Sequence, residues 1–246
     1  MFERLYLNPK NDTENTLRKL WGNPTPIALA GFLMALTPLS CVLMGWGGAT
    51  STVVLVPTFT WLGGLIMVVS GLLEFFLGNT FAALSFSTFG GFYLSFGTLL
   101  NPDNGIAAAY ANSASATETF NNGGSTTGYL SGLALYCLWW GVLDFLYFIV
   151  SLRTNVTFAL VFITIDIDLF LLAASYWQTT LGHTDLAQRL QVAAGAFGFL
   201  CSMTGFYLEA SILFDTLDFP ITLPLGDLSG WIKPKSVRQK AKESLA

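Results

Sequence analysis

The sequence is poor in charge. Only 11% of its 246 residues are Asp, Glu, Lys or Arg, where soluble domains carry roughly a quarter. Hydrophobic residues make up 53% and the mean hydropathy is +0.58, which excludes a water-soluble globule. There is a single histidine, His183, and the three cysteines, Cys41, Cys137 and Cys201, fall in three separate apolar stretches. Nothing in that spacing suggests a disulfide framework or a zinc site. The thiols are expected to pack as small apolar groups, and His183 has no neighbours with which to hold a metal. GxSxG, HExxH and Walker-type loops are missing. An ATP-driven pump and an enzyme are therefore not expected, nor is a cofactor or a nucleic-acid partner. No linker divides the chain.

What is there is a set of long apolar runs. They cover about 26–44, 53–77, 80–99, 130–152, 156–177 and 190–213. Each is close to the roughly 20 residues that a helix rising about 1.5 Å per residue needs to cross hydrocarbon. Lipid offers no partner for a free N–H or C=O, so helices are required, and a β-barrel would show shorter, alternating segments. The expected fold is all-α: a six-helix transmembrane bundle spanning 22–215, with a polar tail at 1–21 and a basic tail at 216–246.

Basic residues give the orientation. Arg4, Lys10, Arg18 and Lys19 precede the first run, Arg153 lies between the fourth and fifth, and Lys233, Lys235, Arg238, Lys240 and Lys242 follow the sixth. All fall on one side of a six-span chain, with Arg189 alone on the other, so both termini are expected in the cytosol. The loop from Asn101 to Gly128 has no Lys or Arg and is rich in Ser, Thr, Asn and Gly, as suits an external aqueous loop. With polar residues over the first twenty positions, no cleavable signal peptide is expected. Asn11 and Asn155 match the glycosylation pattern, but both are placed on the cytosolic side and are expected to stay unmodified.

Inside the runs the charges are all of one sign. Glu74, Asp144, Asp166, Asp168 and Glu209 lie in or at the edge of apolar segments, and no Lys or Arg does. A bare anion needs compensating positive charge, so a permeant that crosses neutral, or a carboxylate accompanied by a proton, fits better. The plain alternative for each acid is an interhelical hydrogen bond or a place at the water interface. For Asp144, among Trp139, Trp140 and Tyr147, a structural hydrogen bond is expected; for Glu74, three residues from the end of its run, the interface and the interior stay open.

Glycines recur at helical spacing: Gly63, Gly64 and Gly71 in the second run, Gly90, Gly91 and Gly97 in the third, Gly195, Gly198 and Gly205 in the sixth. They allow close helix approach, either within a subunit or between subunits. Trp61, Trp139 and Trp177 suit the interfacial belt. The breaks Gly22-Asn23-Pro24-Thr25-Pro26 and Gly78-Asn79-Thr80-Phe81 read as helix starts, with Asn and Thr as caps and Pro in the first turn.

Those breaks carry a resemblance. Asn23-Pro24-Thr25-Pro26-Ile27-Ala28-Leu29 followed by Gly31-Phe32 resembles the N-terminal signature of the acetate uptake transporter family, the fungal and bacterial succinate–acetate permeases. Glu74-Phe75, Gly78-Asn79-Thr80-Phe81 and Phe86-Ser87-Thr88-Phe89-Gly90-Gly91-Phe92 are similar to its second block. Arg153-Thr154-Asn155-Val156 and Leu171-Leu172-Ala173 extend the likeness over about 21–215, in the style of the fungal branch.

The resemblance implies a six-helix channel or proton-linked carrier for acetate and related short monocarboxylates, sometimes succinate, assembled as a homo-hexamer in the lipid bilayer. The plasma membrane is the expected location. It implies a hydrophobic pore constriction at Phe32, Phe89 and Ile165. Two of these depart from the family's usual pattern: Phe89 lacks a phenol hydroxyl and Ile165 is β-branched. Helical geometry puts Ala82, Ser85, Phe89, Tyr93 and Phe96 on one stripe of the third run at about 100° per residue. It also puts Asp168 one turn from Ile165, with Asp166 pointing away. The expected pathway set is therefore Asn23, Pro24, Pro26, Glu74, Asn79, Thr80, Ser85, Tyr93 and Asp168, beside the plain alternative that the three apolar residues are ordinary core.

Two other functions stay open: an ammonia or ammonium pathway, which acids without bases would suit, and a non-transporting sensor or scaffold. An aquaporin is excluded, because Asn23-Pro24 and Asn101-Pro102 do not lie in two half-helices.

Overall fold

A computed structural model describes residues 21–111, 126–228 and 230. Most of the basic residues that set the orientation (Arg4 to Lys19 and Lys233 to Lys242), together with Asn11, lie outside them. The described residues contain six helices long and apolar enough to cross a membrane: α1 Thr25–Leu43, α2 Val53–Phe76, α3 Thr80–Leu100, α4 Thr127–Ser151, α5 Val156–Thr180 and α6 Thr184–Thr216. This is a multi-pass membrane protein.

The helices run past the apolar stretches wherever a polar residue can serve as a cap. Thr126 accepts the Tyr129 N–H at its Oγ1 (3.3 Å), so α4 begins three residues before the apolar run. Asn155 starts α5 by accepting the Phe158 N–H at Oδ1 (2.8 Å). That cap leaves Asn155 only 2% exposed. At 33 residues α6 is about 50 Å long, well beyond the roughly 30 Å of hydrocarbon. It therefore carries Arg189, exposed on its first turns.

The tight turns follow one device. After α2, Gly78 takes φ +77°, its N–H donates to Phe75 O and the Asn79 N–H donates to Glu74 O. After α5, Gly182 (φ +79°) and His183 repeat the pattern on Thr179 and Gln178. Both are Schellman caps, which require the left-handed residue that glycine supplies without strain.

The helices close into a ring in the order α3, α2, α1, α6, α5, α4, with close backbone packing between successive members. The seam between α3 and α4 is made by side chains. The Phe92 ring lies 5.6 Å from Tyr136 and 5.2 Å from Trp140. Tyr136 Oη pairs with Ser95 Oγ at 2.6 Å, and Thr88 Oγ1 with Tyr147 Oη at 3.2 Å.

The glycines serve packing within the protomer. A Cβ on Gly90 would meet Val68, on Gly195 the Ser40 carbonyl, and on Gly205 the Leu33 side chain; Gly91 alone of the nine faces open space. In α2 the turn Phe59–Ile66 is widened into π-helix, with the Leu62 carbonyl lying against Gly31 of α1. Trp139 departs from expectation: it is 66% exposed at the thirteenth position of a 25-residue helix, so it lies at mid-span and not in an interfacial belt.

After α6 the chain stays on the bundle. Gly226 O and Leu225 O accept the Val156 and Thr157 N–H groups (2.7 and 3.2 Å), Thr154 O accepts from Leu228 N, and the Tyr207 hydroxyl donates to Pro224 O. Residues 223–228 thus satisfy the first N–H groups of α5, which have no partner within the helix.

Candidate transport pathway

In the middle of the ring the residues named for the constriction share one apolar cluster. Phe32 of α1, Phe89 of α3 and Ile165 of α5 are 5%, 8% and 5% exposed. The Phe32 and Phe89 rings meet edge to face with centroids 6.0 Å apart, and Phe32 meets Tyr93 at 6.4 Å. Phe89 also lies 6.4 Å from each of Trp140, Tyr147 and Phe162. Edge contacts of this kind place ring hydrogens on π faces and hold the rings against one another. Phe162 and Tyr147 complete the aromatic layer. Sequence reasoning passed over Phe162, since one phenylalanine in an apolar helix carries no signal of its own.

Around this layer the polar residues divide into three groups. The first joins the two motif blocks. Glu74 is fully buried; its Oε1 accepts from the Thr25 hydroxyl and its Oε2 from the Asn79 amide, both at 2.5 Å. Asn79 therefore does not cap α3 as expected, because its amide is turned back to Glu74. Asn23 does act at a helix start, accepting the Thr25 N–H at 3.1 Å. Pro24 is buried and Pro26 half-buried in the first turn, whereas Thr80 is exposed.

The second group is Asp144 and Asp166. Asp144 is 1% exposed, and neither of its carboxylate oxygens has a hydrogen-bond partner. The structural hydrogen bond expected for it is not made: Trp139 points outward and the Tyr147 hydroxyl is engaged by Thr88. Asp166, as buried as Asp168, lies within electrostatic reach of Asp144.

Asp168 forms the third group. It points to a different neighbour, against Gly198 of α6 and near Ser40 of α1. Two residues along a helix differ by about 200° in direction, which turns the two aspartates of α5 toward different neighbours. Ser85 and Tyr93 are buried on the expected face of α3, and Ser85 Oγ has no partner.

The six-helix fold has counterparts. A model described as the GPR1/FUN34/yaaH family matches residues 5–230. The chain belongs to that family. Among its relatives, Protein alcS of Aspergillus fumigatus is 42% identical over 229 residues, covering 93% of this chain and 83% of that protein. The Acetate transporter protein patA of Aspergillus clavatus is 31% identical over 209 residues, covering 85% and 79%. The structure of the bacterial acetate channel SatP superposes with a TM-score of 0.64 at 24% identity, covering 84% of this family member and 99% of that chain. The likeness to SatP is one of fold.

Proposed function

We propose that the protein carries acetate and related short monocarboxylates across its membrane through the centre of the six-helix ring, as a channel or a proton-linked carrier. The observation that carries this reading is the dry layer around Phe32 and Phe89, set among helices whose interior charges are all acidic. Such a layer obstructs hydrated ions more than small undissociated acids, and without interior Lys or Arg a bare carboxylate has no counter-charge. Kinship to a relative named as an acetate transporter gives the substrate class. In this reading Phe32, Phe89 and Ile165 are the constriction, with Ser85, Tyr93 and Asp168 lining the path beside it. Thr25, Glu74 and Asn79 hold the ends of α1–α3 in register.

Both termini in the cytosol, assembly as a homo-hexamer and residence in the plasma membrane belong to the same proposal. A role without catalysis fits the family. The acid-only interior also favours a second reading, passage of ammonia or ammonium.

A chain-length series separates the readings. Formate, acetate, propionate and butyrate are compared in liposomes with and without protein, alongside ammonium. Flux that falls with acyl length supports the carboxylate pathway; ammonium flux with no carboxylate flux overturns it.

A further inference from the structure

On the side of the constriction toward the C-terminal ends of α1, α3 and α5 there is a notch left by a missing side chain and filled by the Ser40 hydroxyl. A Cβ on Gly198 of α6 would stand 2.6 Å from Ser40 Oγ of α1 and 3.5 Å from Asp168 Oδ1 of α5. Asp168 is 3% exposed and Ser40 1%. Asp168 Oδ1 has no hydrogen-bond partner. Ser40 cannot supply one, because its hydroxyl hydrogen is donated to Leu36 O at 2.8 Å. The oxygens at the notch therefore offer only lone pairs. A buried carboxylate left without a donor is costly; adding a proton converts the same oxygens into a donor–acceptor set. Asp168 is therefore favoured in the protonated form, with a hydrogen to give.

Its position gives that proton a use. Asp168 follows Ile165 by one helical turn, about 4.5 Å along α5, and Tyr93 of α3 lies on the same side. The titratable groups within electrostatic reach of Asp168 are Tyr93 of α3, Cys137 of α4, Tyr176 of α5 and Cys201 of α6. None carries positive charge, and α1 contributes only the Ser40 hydroxyl. Among the described residues no fixed cation is recorded against the carboxylate.

We propose that Asp168, in the Gly198–Ser40 notch, is the proton donor that neutralises a carboxylate substrate before it enters the dry layer. This inference rests on the carboxylate reading above. The O–H bond of protonated Asp168 breaks as the O–H bond of the acid forms, the neutral acid passes Phe32 and Phe89, and it releases the proton to water on the far side. Asp168, now ionised, takes a fresh proton from water on the entry side. One proton and one carboxylate anion cross per cycle.

The test is acetate uptake by reconstituted protein at acidic and neutral external pH, corrected for empty liposomes. Asp168→Asn keeps the shape and loses the exchangeable proton. It is expected to lower uptake at neutral pH, where almost no undissociated acid is present, by at least about tenfold, the lower end of what a placed acid–base group contributes. At acidic pH the loss is expected to be small, and Asp168→Glu restores neutral-pH uptake. Loss of equal size at both pH values, or none at either, overturns the assignment while leaving the carboxylate reading intact. No uptake by the unsubstituted protein removes both. Should Asp168→Asn not fold, Gly198→Ala, which pushes the Ser40 hydroxyl out of the notch with Asp168 in place, must show the same pH-selective loss or the proposal falls.

Discussion

Thr25 and Glu74, 49 residues apart in the chain, are joined by a hydrogen bond from the Thr25 hydroxyl to a fully buried carboxylate. The second oxygen of that carboxylate holds the Asn79 amide. One acid thus fastens the start of α1 to the end of α2 and the start of α3. The two sequence blocks that carry the family likeness are, in the fold, a single contact.

Removing that carboxylate strands two buried donors. Glu74→Ala is expected to destabilise the protein by about 2–4 kcal/mol, one to two unsatisfied buried groups' worth. Glu74→Gln, which keeps one acceptor, costs less. Unfolding in mixed detergent measures both, and equal stability of Glu74→Ala and the parent contradicts the assignment. A Thr25→Val/Glu74→Gln cycle should show non-additivity of about 0.5–3 kcal/mol, as expected for residues in contact.

The neighbouring glycines Gly90 and Gly91 make a matched pair. Gly90→Ala drives a methyl into Val68 of α2 and is expected to cost about 1–3 kcal/mol by overpacking. Gly91→Ala meets nothing and is expected to be neutral, or stabilising by about 0.5–1 kcal/mol through helix propensity. Thermal melts of the two variants side by side decide it; equal effects contradict the packing described.

At the constriction, size and stability pull apart. Phe32→Trp adds bulk where Phe89 and Tyr93 already crowd and should reduce acetate flux while the protein stays folded. Phe32→Ala should widen the layer and admit longer acids, at a stability cost of about 3–5 kcal/mol for an emptied aromatic site. Comparing flux of acetate with that of butyrate in each variant reads this directly. An unchanged acetate-to-butyrate ratio in Phe32→Ala counts against the layer as the selective element.

Asn155 caps α5. Asn155→Ala should lower stability by about 1 kcal/mol through loss of the α5 cap. Glycosidase treatment of the parent should leave its electrophoretic mobility unchanged, and a mobility shift removed by Asn155→Gln would contradict its burial.

The fold could be read from the sequence because lipid leaves few choices: long apolar runs must be helices, and each run became one. The ends were less visible, since Thr126 and Thr184 are polar and helices continue through such residues once a cap or the interface satisfies them. That is why Arg189 proved to lie on α6. The separation of Asp168 from Asp166 followed from helical geometry alone. What the sequence did not disclose depended on partners from other helices. Nothing local says that Asn79 turns from its own helix to Glu74, that Asp144 lacks a donor, or that α2 widens beside Gly31. The aromatic layer around Phe89 likewise draws on α3, α4 and α5 together.

The central claim is that a carboxylic acid crosses through the ring past Phe32. The most direct measurement is uptake of labelled acetate into liposomes holding the purified protein, against empty liposomes, with and without an inward proton gradient. Protein-dependent, saturable uptake, enhanced by the gradient and weakened in Phe32→Trp, is expected. Uptake no faster than into empty liposomes contradicts it.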